Sequence, residues 1–155
     1  MNYSRIAGGV CASALLSLGI ASSNLFADDL SKKILTLRER ASVENRILEE
    51  RLDDLVPQLM QQEGIDAWIL IAREYNEDPV LKTMLPATWL NARRRTVLMF
   101  IDHGDSRGVE RFAIARYAVG KLFPGAWNPE ELPNQYQRIA ELLTEFNPSK
   151  IALNF

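Results

Sequence analysis

Three arginines and a tryptophan lie within a stretch of seven residues, and these four residues are the first candidates for a binding site. Arg93, Arg94 and Arg95 form a compact basic cluster, and Trp89 lies four residues before it. Guanidinium groups bind carboxylates through paired hydrogen bonds, so the cluster suits an anionic group or a substrate carboxylate. Two plainer interpretations stay open: the arginines form a solvated surface beside a strand, and Trp89 pads the core.

A second group of chemistry-bearing side chains falls in a predicted turn. Asp102, His103 and Asp105 are potential metal ligands, and His103 is the only histidine of the chain. A metal site needs three or four convergent ligands that are oriented by further hydrogen bonds. The same residue types are also favoured in tight turns for their backbone geometry. We prefer the turn interpretation and predict no catalytic residue and no metal ligand within this chain.

The rest of the sequence lacks the signatures of common catalytic centres. No Gly-rich phosphate loop and no paired-cysteine metal motif occur, and no recognisable motif places a histidine beside a serine or threonine. The formal net charge of −2 argues against a nucleic-acid-binding protein, which would carry a basic stripe. The single cysteine is Cys11, so we expect no disulfide or thiol chemistry in the chain beyond the N-terminal segment.

Residues 1–27 have the pattern of an export signal. Arg5 supplies the positive charge, residues 6–20 are uncharged and mostly apolar, and Ala27 provides a small residue at the cleavage position. The apolar part is shorter than the roughly 20 residues that span a bilayer, although a retained anchor is the alternative. We therefore predict an exported protein, periplasmic or secreted, that begins at Asp28 and leaves the membrane after cleavage.

Two helix-to-strand units organise the predicted domain, which covers residues 47–155. The first is an amphipathic helix over 48–63, ended by a glycine and followed by the apolar run 67–72. The second is a helix over 133–146 followed by a strand over 151–155. Apolar runs of this kind are typical of strands that are covered on both faces, as in a sheet flanked by helices.

A leading arm and a hairpin complete the prediction. Residues 28–46 are charged and are predicted to form a helical arm, either solvated or packed on a partner subunit. Its narrow apolar stripe consists of Leu30, Ile34, Leu37 and Ala41. Strands are predicted over 95–102 and 109–119, and their short connection predicts antiparallel pairing. Asp78 is the expected N-cap of a short helix, and Pro57 should kink the main helix.

The order of these elements resembles the N-terminal domain of the creatinase, prolidase and aminopeptidase P family. In that family, a helix that starts with Arg-Leu and ends in Gly-Ile-Asp-Ala leads into the first strand. The residues that carry the likeness here are Arg51–Leu55 and the motif Gly64-Ile65-Asp66-Ala67. A hairpin and a second helix ending in Lys150-Ile151 follow in the family order.

The resemblance implies an α/β domain with a mixed sheet flanked by helices, in layers similar to those of ribonuclease H. Family members carry this domain before a pita-bread catalytic domain, which binds two divalent metals (manganese, cobalt or zinc) and acts as an aminopeptidase. The implied partners are that C-terminal catalytic domain, further copies in a homo-oligomer, and a peptide substrate of Xaa-Pro aminopeptidase or prolidase type. Because the chain ends inside its last predicted strand, we expect it to be the front part of such an enzyme.

Family N-terminal domains also contribute subunit contacts, and some lend an aromatic or arginine side chain to a neighbour's active site. By position, Trp89, Arg93, Arg94 and Arg95 would carry this substrate-gating or subunit-contact role here. No cofactor is expected within the chain itself. The alternative hypothesis is a stand-alone exported domain that binds a partner or acts as a scaffold without catalysis.

Overall fold

The computed structural model describes residues 34–104 and 107–154. The helices are α1 (Leu37–Glu50), α2 (Val56–Glu63), α3 (Pro79–Thr83) and α4 (Gln135–Phe146). The strands are β1 (Ala67–Arg73), β2 (Arg95–Asp102), β3 (Val109–Ile114) and β4 (Ile151–Leu153). They form one mixed sheet in the order β3-β2-β1-β4, in which only the β1–β4 pair is parallel. The predicted α/β class, with helices flanking a mixed sheet, is confirmed.

β1 and β2 form the buried centre of the sheet, as their continuous apolar sequences predict. One hydrophobic cluster contains Leu70 and Phe100 together with the buried face of α1 and α2. The other contains Ile69 and Met99 together with Ile139 of α4. Neighbouring side chains of a strand point to opposite faces, so the two clusters lie on opposite sides of the sheet. Within the described part of the chain, no helix is long and apolar enough to cross a membrane.

A continuous helical segment packs on one face of the sheet. It consists of α1, a π-helical turn at Arg51–Leu55, and α2. Its buried stripe repeats every four residues, at Leu48, Leu52, Val56 and Met60. A regular α-helix rotates such a stripe by about 40° per four-residue step, because it has about 3.6 residues per turn. The wider π turn offsets part of this rotation, and the stripe stays on the sheet.

The π turn lies where Pro57 is predicted to disturb the helix. Proline has no backbone N–H, so the carbonyl four residues earlier receives no α-helical hydrogen bond. The N–H of Val56 instead reaches back five residues to the carbonyl of Arg51. With the turn widened in this way, Leu55 and Leu59, two apolar residues of the predicted amphipathic helix, lie at the exposed margin of its buried face.

The leading arm is continuous with the main helix where the structure describes it. α1 crosses the predicted boundary at residue 46 without interruption, because the helix-favouring sequence contains no stop signal there. Of the predicted apolar stripe, Leu37 is 82% exposed, Ile34 is exposed and Ala41 is half-buried. Leu30 and the predicted signal at 1–27 lie outside the described residues.

β3 is shorter than predicted and ends at Ile114 instead of Val119. The pairing with β2 stops at Ile114, whose carbonyl accepts a hydrogen bond from Nε2 of the buried Gln135 over 2.6 Å. The loop after β3 returns along the outer edge of this strand and bonds both backbone groups of Ala113, which stays paired with Leu98 of β2. The N–H of Ala113 donates to the Pro124 carbonyl over 2.9 Å, and its carbonyl accepts the N–H of Ala126 over 2.9 Å. The hairpin of β2 and β3 is antiparallel, as predicted.

β4 pairs with β1 as predicted, but it is an edge strand and is not covered on both faces. Ile151 lies opposite Ala67 and Leu153 lies opposite Ile69, so both side chains are on the face of α4. Ile151 is nevertheless 43% exposed and Leu153 is 57% exposed, because the described core contacts of α4 are with the other three strands. The prediction of a fully covered last strand is therefore wrong for the described residues.

Asp66 joins the two helix-to-strand units where β1 and β4 begin. Its Oδ2 accepts the N–H groups of Ser149 and Lys150 over 2.7 and 2.8 Å. Its own N–H and that of Ala67 donate to the Lys150 carbonyl over 3.0 and 3.2 Å. The Asp66 carbonyl also accepts the N–H of Asp102 over 2.9 Å. One residue thus fixes the start of β4 beside β1 and the end of β2.

At the other end of β4, the Asn154 side chain continues the strand pairing. Its Oδ1 accepts the N–H of Ile71 over 2.7 Å, and its Nδ2 donates to the Ile71 carbonyl over 2.9 Å. Asn154 also hydrogen-bonds Asp78, which is the N-cap of α3 as predicted. Burial raises the pKa of Asp78, but hydrogen bonds from Leu81, Asn154 and Val80 together hold that pKa below its ordinary value.

Replacing Asp66 with alanine is expected to lower the free energy of unfolding by about 1–3 kcal/mol, because two backbone N–H groups lose a charged acceptor. Urea denaturation followed by circular dichroism measures the change. The control is Asp54→Ala, at an exposed position of the π turn, and it should change stability by less than about 0.5 kcal/mol. Equal denaturation midpoints for the two variants would contradict the role given to Asp66.

Acid should remove the stabilisation that the ionised Asp78 provides. The folded-state pKa of Asp78 lies below the ordinary value of 3.8, so the unfolded chain takes up the proton first as the pH falls. The stabilisation is present above pH 3.8 and is lost as the pH falls through the folded-state pKa. Asp78→Asn keeps an N-cap without this titration. The difference in unfolding free energy between wild type and Asp78→Asn should shrink in acid; a constant difference would contradict the assignment.

Candidate functional site

Three of the four predicted residues line one cleft at an end of the sheet. Trp89, Arg93 and Arg94 lie on the segment between α3 and β2, and all three contribute to the wall of this cleft. Its volume is about 420 Å³, which falls in the range of roughly 300–1,000 Å³ found for small-molecule sites. The full lining is Glu74, Trp89, Asn91, Arg93, Arg94, Thr96, Ala115, Arg116 and Tyr117. We call this the arginine cleft.

The backbone holds Arg94 in an unfavourable conformation beside the cleft. Its φ is +53°, in the left-handed region where a Cβ costs about 1–2 kcal/mol. Its N–H donates to Oε2 of Glu74 over 3.3 Å, and its carbonyl accepts the N–H of Glu74 over 2.6 Å. The N–H of Arg93 donates to Oγ1 of the buried Thr96 over 3.2 Å. These bonds fix the turn that presents both guanidinium groups, and such strain is frequently found at functional sites.

Trp89 serves the core and the cleft together. Its ring packs against the hydrophobic cluster on the side of α1 and α2, and it is half-buried there. The guanidinium carbon of Arg93 lies 4.9 Å from the ring centroid, in a cation–π arrangement. The interpretation that Trp89 pads the core is supported by this packing, and a binding role stays a prediction. The ring gives the Arg93 guanidinium a fixed platform at the cleft wall.

Arg95 is not brought to the arginine cleft. As the first residue of β2, it extends to the opposite face, where its guanidinium carbon lies 4.6 Å from the ring centroid of Tyr136. Its guanidinium also lies 3.5 Å from Oε1 of Gln135. Gln135 is buried and donates to the carbonyls of Arg95 and Ile114 over 3.3 and 2.6 Å. Arg95 thus anchors the start of α4, and Tyr136, an aromatic residue of the helix predicted over 133–146, is exposed.

Arg116 and Tyr117 belong to the cleft but escape prediction from the sequence. The pattern of apolar residues over 109–119 places them inside a strand, whereas the structure ends β3 before them. Arg116 lines the cleft together with Arg93 and Arg94, so the lining contains three arginines and one acidic residue, Glu74. Across residues 34–104 and 107–154, no ion pair neutralises any of these arginines. The cleft is therefore strongly cationic and has aromatic walls.

His103 lies beside the hairpin at the other end of β2 and is engaged in packing. Its side chain is only 8% exposed, Nε2 lies 2.9 Å from Oε2 of Glu110, and its ring contacts Phe146 at 5.5 Å between centroids. Asp102 accepts the backbone N–H two residues later over 2.8 Å, in the geometry of a turn. Asp105 is outside the described residues. In the described part, no three His, Cys, Asp or Glu residues converge in a way that could hold a metal.

Comparisons with protein-family models, with curated proteins and with solved structures give no match for this chain. The resemblance to the creatinase, prolidase and aminopeptidase P family therefore remains a hypothesis.

Substituting Arg94 with glycine should leave the fold as stable as wild type or make it more stable by up to about 1 kcal/mol, because glycine adopts positive φ without a Cβ clash. Arg93→Gly is the matched control: the backbone of Arg93 does not have a positive φ, so its variant loses the Trp89 contact and should be less stable. Thermal and urea unfolding compare the two. If Arg94→Gly were destabilised as much as Arg93→Gly, the strain at Arg94 would be refuted.

Proposed function

We propose that this chain is the non-catalytic N-terminal domain of an exported metallopeptidase, similar to Xaa-Pro aminopeptidases and prolidases. The observation that carries the proposal is the position of Asp66. In the Gly-Ile-Asp-Ala motif it bonds the two residues that precede β4, the strand of the second helix-to-strand unit, so the motif has a specific architectural use. The order of helix, strand, hairpin, helix and parallel strand is that expected from the family resemblance.

In this proposal the domain contributes to oligomerisation and substrate gating. Arginine and tryptophan are the residue types most often found at the energetic centre of interfaces. This composition is found in the arginine cleft, which is lined by Trp89, Arg93 and Arg94. Arg95 is instead packed against Tyr136 on the opposite face of the sheet. The two divalent metals would belong to the catalytic domain, where they activate the attacking water. The role of this chain is limited to positioning peptide substrate and neighbouring subunits in the periplasm or outside the cell.

A second candidate is a stand-alone exported binding or scaffold domain. The observation in its favour is that both faces of β1 and β2 are covered by helices of the same domain. Such a domain has its own core, and it could fold and bind a partner without further chain.

The test isolates the native gene product with an antibody raised against this domain and assays release of the first residue from an Xaa-Pro dipeptide. We expect a polypeptide longer than this chain, with hydrolysis that a chelator abolishes and added metal restores. The purified 155-residue chain is the control, and it should show no hydrolysis. A native product without metal-dependent hydrolysis of prolyl bonds would overturn the proposal and favour the second candidate.

A further inference from the structure

We infer that the arginine cleft and its rim form a docking surface for an acidic peptide segment that also carries apolar side chains. The inference specifies which kind of partner the arginine cleft would bind. The biological setting of this binding rests on the proposed function. The binding itself is a property of the described residues and does not require a catalytic domain.

The charge of the cleft selects an anionic partner. Arg93, Arg94 and Arg116 all line the cleft, and among the described residues none of them is paired with a carboxylate. Guanidinium groups recognise carboxylates through two parallel N–H···O bonds, which favours the side chains of aspartate and glutamate. The backbone of Arg94 has a positive φ, which is unfavourable for a residue with a Cβ. Such strain is common where a side chain is positioned for a ligand.

The rim of the cleft, meaning the exposed residues that line it or adjoin its lining residues in sequence, favours a ligand larger than a small anion. Tyr75 is 88% exposed and follows Glu74, while Leu90 is 87% exposed and lies between Trp89 and Asn91. Tyr117, also exposed, lines the cleft itself. Single exposed apolar residues are common on protein surfaces, but here three of them either line one cationic cleft or adjoin its lining residues in sequence, and exposed apolar groups beside a cleft favour binding of another protein.

Glu74 and Asn91 favour a peptide over a polyphosphate. The carboxylate of Glu74 lies inside the cleft, where it would repel a multiply charged phosphate chain. A peptide has backbone N–H groups that can donate to this carboxylate and to the Asn91 side-chain oxygen. Alternating acidic and apolar side chains would therefore place carboxylates on the arginines and apolar groups on Leu90 and Tyr117.

The experiment measures binding of short fluorescent peptides, blocked at both ends, to the purified protein by anisotropy. The first peptide alternates glutamate and leucine, the second replaces glutamate with glutamine, and inorganic polyphosphate is used as a competitor. We expect saturable binding of the first peptide, at least about tenfold weaker binding of the second, and loss of affinity as salt is raised. Polyphosphate should compete only weakly.

Two matched pairs of variants locate the site. Arg116→Gln should weaken binding about tenfold, whereas Arg46→Gln removes the same charge from an exposed position on α1 and should change affinity less than twofold. Leu90→Ser should weaken binding about threefold to tenfold, whereas Leu37→Ser, at a similarly exposed position on α1, should not. Circular dichroism establishes that each variant is folded.

The inference is overturned if the glutamine peptide binds as tightly as the glutamate peptide. It is also overturned if polyphosphate binds more tightly than the peptide, or if the variants of each pair behave alike. These outcomes are independent of the prolyl-dipeptide assay, because the binding experiment uses only the purified 155-residue chain and measures no hydrolysis. A failure of docking and a failure of the proposed peptidase can therefore be told apart.

Discussion

The carboxylate of Asp66 is the constraint on which the arrangement of the sheet depends. β4 has three residues, and two of them leave much of their apolar side chains exposed, so burial alone gives it little hold on β1. The strand is instead fixed at its ends by polar side chains. Asp66 binds the two N–H groups that precede β4, and Asn154 forms two hydrogen bonds with the backbone of Ile71 at the other end. Hydrogen bonds to a charged group contribute more than neutral ones, which makes the Asp66 end the stronger attachment.

The two ends of the sheet have different roles: one holds the strands together, and the other carries the residues of the arginine cleft. The end with Asp66 joins the helix-to-strand units, and its loops are occupied with structural hydrogen bonds. The opposite end carries the turn after β1, the segment before β2 and the chain after β3. Two residues with positive φ other than glycine, Tyr75 and Arg94, are found there. Loops at one end of a rigid sheet are a common location for binding residues, because the scaffold fixes them while their sequence is free to vary.

The central strands could be predicted from the sequence, because an uninterrupted apolar run of this length is stable in few settings other than a covered strand. β2 spans Arg95–Asp102, as predicted. The edge strand shows the limit of this reasoning. Its composition is as apolar as that of β1, and only the position of α4 decides that Ile151 and Leu153 remain exposed.

The candidate site could be predicted only in part, because some of its residues are brought to the cleft by contacts between segments that are distant in the sequence. Trp89, Arg93 and Arg94 are visible as a local cluster of residue types. Arg116 and Tyr117 line the cleft because β3 ends before them, at Ile114, whose carbonyl accepts a hydrogen bond from the side chain of Gln135. A local sequence pattern contains no information about that distant contact. The same holds for Gln135, whose burial depends on two distant carbonyl groups.

Native-state amide hydrogen exchange tests the central claim most directly, because it reports on individual N–H groups of Ser149, Lys150 and Ile71. If Asp66 and Asn154 make β4 an integral part of the sheet, these amides exchange only in the opening that also exposes β1, with the same free energy as Leu70. Exchange of Ser149 and Lys150 at the rate of an unstructured chain, while Leu70 stays protected, would contradict the account.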